Sequence, residues 1–443
     1  MSVENRYYPE GQVTYASDNL FKSISIKCGG RLLDFDHFWS MVDLYSKQLG
    51  CECPRSKYPV RYLIQPDDRI IGLIQVFGCL VSKNIPLLDE KKLSAFDSDV
   101  RMAPPFELKQ EHRGDPHEAC QRFQNAMLGN DPALIFVTSG STGDVKLVEK
   151  NWRQLSSEIL LLKELYSRKR IGHVAILISP FHIYGFLHGI LLPICLGANI
   201  SMVENSEDLI YNFKNEIPSI DLLVCVPALW SLVKNLHREI NISLMVTSGT
   251  AFGSERSKEL AELSPKLEVV EILGSTETGG IGYRFFCDDA KTPFRLFPPH
   301  RLCEEGDKTR LFSPFLFPDE SILLDDILEI LDECRFFHHG RSDTLFKYSG
   351  RRYSLAEIER NLSVIIGHSN IFCIFDEKSC HPKGGEILAV VEQRSMFAIE
   401  DIRRDYVKRF STPFPSRFAA VDRIRRDPNG KVERKHILDV LKI

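Results

Sequence analysis

Five short apolar runs, Ala133–Val137, Val174–Ile178, Leu222–Val226, Leu244–Thr247 and Leu267–Leu273, each break off into Gly, Ser, Thr or Pro, and longer amphipathic stretches separate them. A strand covered by helices on both faces reads as a continuous apolar run, so this alternation predicts an α/β fold with a largely parallel sheet. The intervening stretches carry helical spacing. Trp152, Leu155, Ile159, Leu162 and Tyr166 fall on one face of such a helix and are expected in the core. Ligands of open α/β sheets bind beyond the carboxyl ends of the strands, which directs attention to the residues after each run.

A chain of 443 residues is longer than one core usually organises, so a large and a small unit are expected. The charge divides the chain at one place. From Arg341 onward twenty Lys and Arg stand against fourteen Asp and Glu, whereas the first 340 residues carry 36 against 46. We therefore expect a domain over 1–340 and a second over 341–443, whose positive balance suits either something anionic or a plain solvated charged surface. Basic residues there alternate with acids and no recognition motif accompanies them, which argues against nucleic acid. The N-terminal residues carry no apolar signal core, and the apolar stretches Ile71–Val81 and Gly185–Ala198 are too short to span a bilayer, so a cytoplasmic address is expected. Twelve scattered cysteines read as reduced thiols. Cys51 and Cys53 lack the second pair that structural zinc requires.

The run ending at Val137 is followed by Thr138-Ser139-Gly140-Ser141-Thr142-Gly143-Asp144-Val145-Lys146. Glycines admit close approach of a ligand, hydroxyls and backbone N–H groups donate to phosphate oxygens, and Lys146 adds charge. The segment looks like a phosphate cradle, and a Ser/Thr/Gly-rich strand-to-helix turn without function is the plainer alternative. The spacing is not that of a Walker loop, which excludes a P-loop reading. Gly274-Ser275-Thr276-Glu277-Thr278-Gly279-Gly280 follows another β-rich run. A carboxylate among hydroxyls suits Mg²⁺, and an exposed glutamate on a glycine-rich turn is the plainer alternative.

Two further segments stand near the C-terminal end. Arg341 is expected in a short loop where the charge changes sign, consistent with a hinge that carries a phosphate-binding guanidinium. Ser354-Leu355-Ala356-Glu357 has the pattern of a capping box, so Glu357 reads as a helix cap. Asp427-Pro428-Asn429-Gly430 is a strong turn that projects Lys431, a residue that is ordinarily just solvated in such a place.

In this order, the segments resemble the adenylate-forming superfamily of acyl-CoA synthetases, aryl-acid ligases, luciferases and nonribosomal adenylation domains, from Thr138 to Lys431. The resemblance implies a large multi-sheet α/β N-terminal domain, a small mobile α+β C-terminal domain, and ATP with Mg²⁺ as cofactors. It implies that Thr138, Ser139, Gly140, Ser141, Thr142, Gly143 and Lys146 hold the β- and γ-phosphates. His182, within Pro180–Gly185, matches the position beside the acid carboxylate. Gly274 and Ser275 precede Thr276 and Glu277, which match the pair that contacts the α-phosphate and the metal. Asp326 lies at the family's spacing, fourteen residues before Gly340, for the carboxylate that binds the ribose hydroxyls. Arg341 matches an arginine that reaches ribose and phosphate, Asp343 the hinge, and Lys431 the lysine that bridges the acid and the α-phosphate.

The implied reaction joins a carboxylic acid to AMP with release of pyrophosphate, then passes the acyl group to the thiol of CoA or of a phosphopantetheinylated acyl carrier protein. A non-thiol acceptor, a noncatalytic adenylate binder and a kinase-like phosphotransferase are the alternatives. Leu273 stands where the family usually has an aromatic residue, Val145 where it has proline, and Leu324-Asp325 where it has Thr-Gly. No essential charge is lost. The chain is also shorter than is typical, and an aromatic or short acid is expected because less wall remains for a long tunnel.

Overall fold

The computed structural model describes residues 24–52, 58–89, 99–108, 114–127, 132–139, 145–203, 219–250, 252, 259–261, 267–286, 292–306, 308–316, 321–341, 345–348, 351–367, 370–376, 379, 385–392, 398–426 and 432–442. The chain enters through the hairpin β1 (Ser25–Cys28) and β2 (Arg31–Asp34), then helix α1 (Phe35–Glu52). Phe38, Val42, Tyr45 and Leu49 recur on α1 at helical spacing and are buried. After β3 (Arg61–Ile64), Asp68 caps helix α2 (Arg69–Val81) by accepting from the N–H of Ile71 at 3.0 Å. The chain continues through β4 (Ile85–Leu88), β5 (Val100–Met102), α3 (Pro116–Met127), β6 (Pro132–Ser139) and β7 (Val145–Asn151). These strands form a sheet ordered β5-β3-β4-β6-β7, parallel except for the last pair. Asn151 and Gln154 then form a reciprocal capping box that starts α4 (Trp152–Leu165). The expected face of this helix is in the core: Trp152, Leu155, Ile159, Leu162 and Tyr166 are all buried.

A larger sheet follows. It collects β8 (His173–Ile176), β9 (Asn199–Met202), β10 (Ser219–Cys225), β11 (Asn241–Thr247), β12 (Glu268–Ser275), β13 (Gly279–Phe286) and β14 (Phe294–Leu296). Helix α5 (Trp230–Glu239) links β10 to β11. A small sheet of β15 (Arg301–Glu305), β16 (Lys308–Phe312) and β17 (Ser321–Leu323) precedes β18 (Asp326–Asp332) and β19 (Arg335–Arg341). The large sheet runs β18-β19-β14-β13-β12-β11-β10-β8-β9-β1-β2. Its middle, from β12 to β1, is parallel, and both flanks are antiparallel. The expectation of a largely parallel sheet therefore holds only for the middle, where four of the five apolar runs lie side by side. The flanking strands are short, half-polar or exposed, and leave no continuous apolar run to read.

Beyond Arg341 the pattern changes to α+β. The hairpin β20 (Leu345–Tyr348) and β21 (Arg351–Ser354) leads into α6 (Leu355–Ile366), whose cap Ser354 accepts from the N–H of Glu357 at 3.4 Å. A three-stranded sheet of β22 (Ile371–Asp376), β23 (Glu386–Glu392) and β24 (Arg417–Val421) follows, with α7 (Ile399–Arg409) and α8 (Arg434–Leu441). Its apolar cores are built from residues at or beyond Phe346, and the cores of the larger part from residues up to Phe336. The fold is thus a large multi-sheet α/β part followed by a smaller α+β region. Among the described residues no helix is long and apolar enough to cross a membrane.

Candidate active site

The parallel strands β8, β10, β11 and β12 are neighbours and end along one edge of the large sheet. Beyond β8, His182 is the extended cap of a helical segment, and its carbonyl accepts from the N–H of Phe186 at 2.7 Å. This segment continues through a π-helical turn at Leu187–Leu191 to Leu196. The Tyr184 hydroxyl donates toward the carbonyls of Cys225 and Val246 at 3.0 and 2.8 Å, which pins the segment to the ends of β10 and β11. His188, one turn on, packs its ring 5.0 Å from that of Tyr184. Burial pushes the His188 imidazole down to about 3, so this ring is neutral at physiological pH.

Beyond β11, the Ser248 hydroxyl donates to the carbonyl of Ile272 at 2.8 Å, and Gly249 takes a φ of 90°. Beyond β12 comes the turn that carries Thr276 and Glu277. Ser275 and Thr278 hold each other across it: the Ser275 N–H donates to Thr278 Oγ1 at 3.0 Å and the Thr278 N–H to Ser275 Oγ at 3.2 Å. Thr276 and Glu277 are left half-buried at its tip. Gly274 sits at a register shift between β12 and β13, and a side chain there would collide with the Gly279 carbonyl.

Three buried side chains grip this turn from outside. Lys150, at the end of β7 and 3% exposed, donates through Nζ to the Glu277 carbonyl at 2.8 Å. Glu158, on α4, accepts from the N–H of Gly280 at 2.7 Å. His300 donates from Nε2 to the Gly280 carbonyl at 2.8 Å. Gly279 adopts a φ of 67°, and a Cβ there would lie 2.7 Å from Glu158 Oε2, so both backbone shape and space require glycine. Burial pushes the Lys150 ammonium below its usual range and the Glu158 carboxyl above its own, and the attraction between the two opposes both shifts. Burial likewise holds His300 down, to about 4.

Thr138 and Ser139 end β6, opposite Lys146 and Val145 on β7. The segment after the first apolar run is therefore bracketed by an antiparallel hairpin and is not a strand-to-helix turn. β7 is largely exposed along its first residues, Lys146 included, so it carries no apolar signal. Arg341 is likewise the last residue of β19 and not part of a loop, and it lies opposite Asp326 in the antiparallel register. Asp326 Oδ1 pairs with His338 Nε2 at 2.9 Å, and Arg341 reaches Asp325 at 3.5 Å. Gly140, Ser141, Thr142, Gly143, Asp343 and Lys431 lie outside the described residues. Arg426 and Val432 form an antiparallel bridge on either side of 427–431.

The oxygen donors at the tip of the β12–β13 turn, the Glu277 carboxylate and the Thr276 hydroxyl, fit a hard cation that arrives with nucleotide phosphates. Among the described residues no group of three or more His, Cys, Asp or Glu side chains would hold an ion by itself. Sequence reading missed Lys150, Glu158 and His300. The signal available for Glu158 was its place between Leu155, Ile159 and Leu162 on an apolar face, where a carboxylate needs a partner.

The AMP-binding enzyme family matches residues 79–299. A 4-coumarate–CoA ligase of Halorhodospira halophila is 31% identical over 239 residues, covering 52% of this chain and 56% of that protein. A 3,4-dihydroxybenzoate–[aryl-carrier protein] ligase of Bacillus anthracis is 23% identical, over 70% of this chain and 74% of its own. The chain spans about half the length of the first curated relatives it matches. Among solved structures, the O-succinylbenzoate coenzyme A synthetase of Bacillus subtilis in complex with AMP superposes with a TM-score of 0.73 at 16% identity, over 94% of this chain and 95% of that one. The strand-end turns, the hairpin bracketing Thr138–Lys146 and the Asp326–Arg341 pair occur here on that fold, and the chain belongs to the adenylate-forming superfamily of AMP-binding enzymes.

Proposed function

We propose that the chain activates a carboxylic acid with ATP, forming an acyl-adenylate and pyrophosphate, and then transfers the acyl group to the thiol of CoA or of a phosphopantetheinylated acyl carrier protein. The observation that carries this reading is the shared edge of β8, β11 and β12. It presents His182, Gly249 and the Thr276–Glu277 tip together, and Lys150 ties the hairpin of the second sheet to the same tip.

A carboxylate attacks a polyphosphate poorly because both are anions. Mg²⁺, when bound, would offset phosphate charge, with Glu277 and the hydroxyl of Thr276 as the residues to hold it. Lys146 and the hydroxyls of Thr138, Ser139, Ser141 and Thr142, with the backbone of Gly140 and Gly143, supply donors to the β- and γ-phosphates. Asp326 accepts from the ribose hydroxyls, and Arg341, beside it in register, reaches ribose and phosphate. Lys431 brings positive charge to the attacking carboxylate and the α-phosphate as the bond forms and pyrophosphate leaves. The acyl-adenylate is a mixed anhydride that water would destroy, so closure over it is part of the reading.

Residues 341–443 act as the mobile unit in this account, hinged at Asp343. The positive balance of that region suits either thiol carrier, since CoA bears phosphates and carrier proteins are acidic. Tyr184 and the neutral ring of His188 support an acid pocket with aromatic and weakly polar walls beyond His182. Two relatives are named for aryl acids, which favours an aromatic or short acid. The test is pyrophosphate release from ATP and Mg²⁺ across aryl and acyl acids, with CoA or carrier protein as acceptor. Release that depends on the acid and accelerates with one acceptor supports the reading. A faster thioester from palmitate than from benzoate-type acids overturns the choice of acid.

A further inference from the structure

The β12–β13 turn is fastened by three buried polar side chains that no step of the reaction consumes. Lys150 binds the carbonyl of Glu277 itself, Glu158 binds the N–H of Gly280, and His300 binds the carbonyl of the same glycine. Lys150 and Glu158 are 3% and 8% exposed. Burying an ammonium and a carboxylate is costly, and an apolar pair of similar volume is commonly as stable or more so. Three apolar side chains would have filled the space, but they could not have fixed one carbonyl and both polar groups of the second glycine. Lys150 also belongs to β7, four residues after Lys146, so the contact joins the hairpin of one sheet to the turn of the other.

Resting on the function proposed above, we infer that Lys150 and Glu158 are positioning residues: they orient the Glu277 carboxylate toward a nucleotide-bound divalent cation while remaining out of contact with it. His300 serves as the neutral third point of attachment. The turn's own Ser275–Thr278 hydrogen bonds hold its shape, and the buried pair holds its direction.

The distinguishing quantity is the Mg²⁺ advantage, the ratio of ATP affinity with Mg²⁺ to that without, measured by isothermal titration. A purely structural role would lower both affinities together. Lys150→Met should reduce the advantage at least fivefold while metal-free ATP affinity stays within twofold, and Lys150→Arg should restore part of it. The double variant K150M/E158Q leaves no unpaired buried charge, so it should regain the thermal midpoint lost by the single variant and still lack the advantage. It also carries the test if the single variant does not fold. An unchanged advantage in a folded variant, or equal loss of both affinities, overturns the inference, as does a wild-type protein that binds ATP equally with and without Mg²⁺. Wild-type protein that shows the advantage but no acid-dependent chemistry sinks the proposed reaction and leaves the positioning role standing.

Discussion

Asp326 and Arg341 face each other across the antiparallel pair β18–β19, the first residue of one strand opposite the last of the other. The carboxylate is fixed further by His338 Nε2 at 2.9 Å, with its side chain 15% exposed. An oriented, half-sheltered carboxylate that accepts two hydroxyls is suited to reading a sugar edge. Asp326→Ala is expected to weaken ATP binding by about 10- to 100-fold, the loss of roughly one or two charge-assisted hydrogen bonds. It should also shrink the preference for ATP over 2′-deoxy-ATP. Titration of both nucleotides into both proteins checks this, and an undiminished preference would count against the assigned role.

Lys431 is assigned only to the first half-reaction. Lys431→Ala should slow adenylation on the order of 100-fold or more while thioester formation from supplied acyl-adenylate proceeds nearly unchanged. Equal loss in both half-reactions would contradict the assignment of Lys431 to adenylation alone.

Gly279 combines a left-handed backbone with a carboxylate 2.7 Å from where a Cβ would sit. Gly279→Ala should therefore cost roughly 1–3 kcal/mol of stability and weaken Mg-ATP binding together, because the strain falls on the turn that carries Glu277. Thermal unfolding with and without Mg-ATP reads both effects.

Much of this was legible in the amino-acid sequence, and the reason is burial. The strands of the parallel middle are covered on both faces, so Leu222–Val226 and Leu244–Thr247 announce themselves as apolar runs, and Leu267–Leu273 as one broken only by Glu268 and Glu271. β7 is exposed along most of its length and alternates charges, which hid the hairpin opposite Thr138 and suggested a helix after the glycines. The strand that ends at Arg341 is hard to see in the sequence for a related cause: its residues on β19 are half-exposed and include His338 and His339, which resemble surface polar residues. The grip on Glu277 was out of reach of local reasoning. Lys150 and Glu158 meet partners 127 and 122 positions away, and only the packing of β7 and α4 against the β12–β13 turn makes them neighbours.

Glu359, on α6, accepts from the N–H of Cys373 at 2.7 Å, and burial holds its carboxyl up to about 7. The folded value lies above the unfolded one, so the native state binds the extra proton. The contribution to stability is full below about 4.5 and is lost as pH rises through 7. Glu359→Gln, which keeps an acceptor and removes the ionisation, should gain stability relative to wild type of roughly 3 kcal/mol at pH 8 and almost none at pH 4. Unfolding midpoints of the two proteins across that range check the sign. A gap that widens toward low pH would contradict it.

In the proposed reaction an acid attacks the α-phosphate of ATP. Acid-dependent exchange of labelled pyrophosphate into ATP, in the presence of Mg²⁺ and without any thiol, tests this directly. Exchange is expected with at least one aryl or short-chain acid and none without acid. Formation of ADP and phosphate, or no exchange across the panel by protein that binds Mg-ATP, would contradict it.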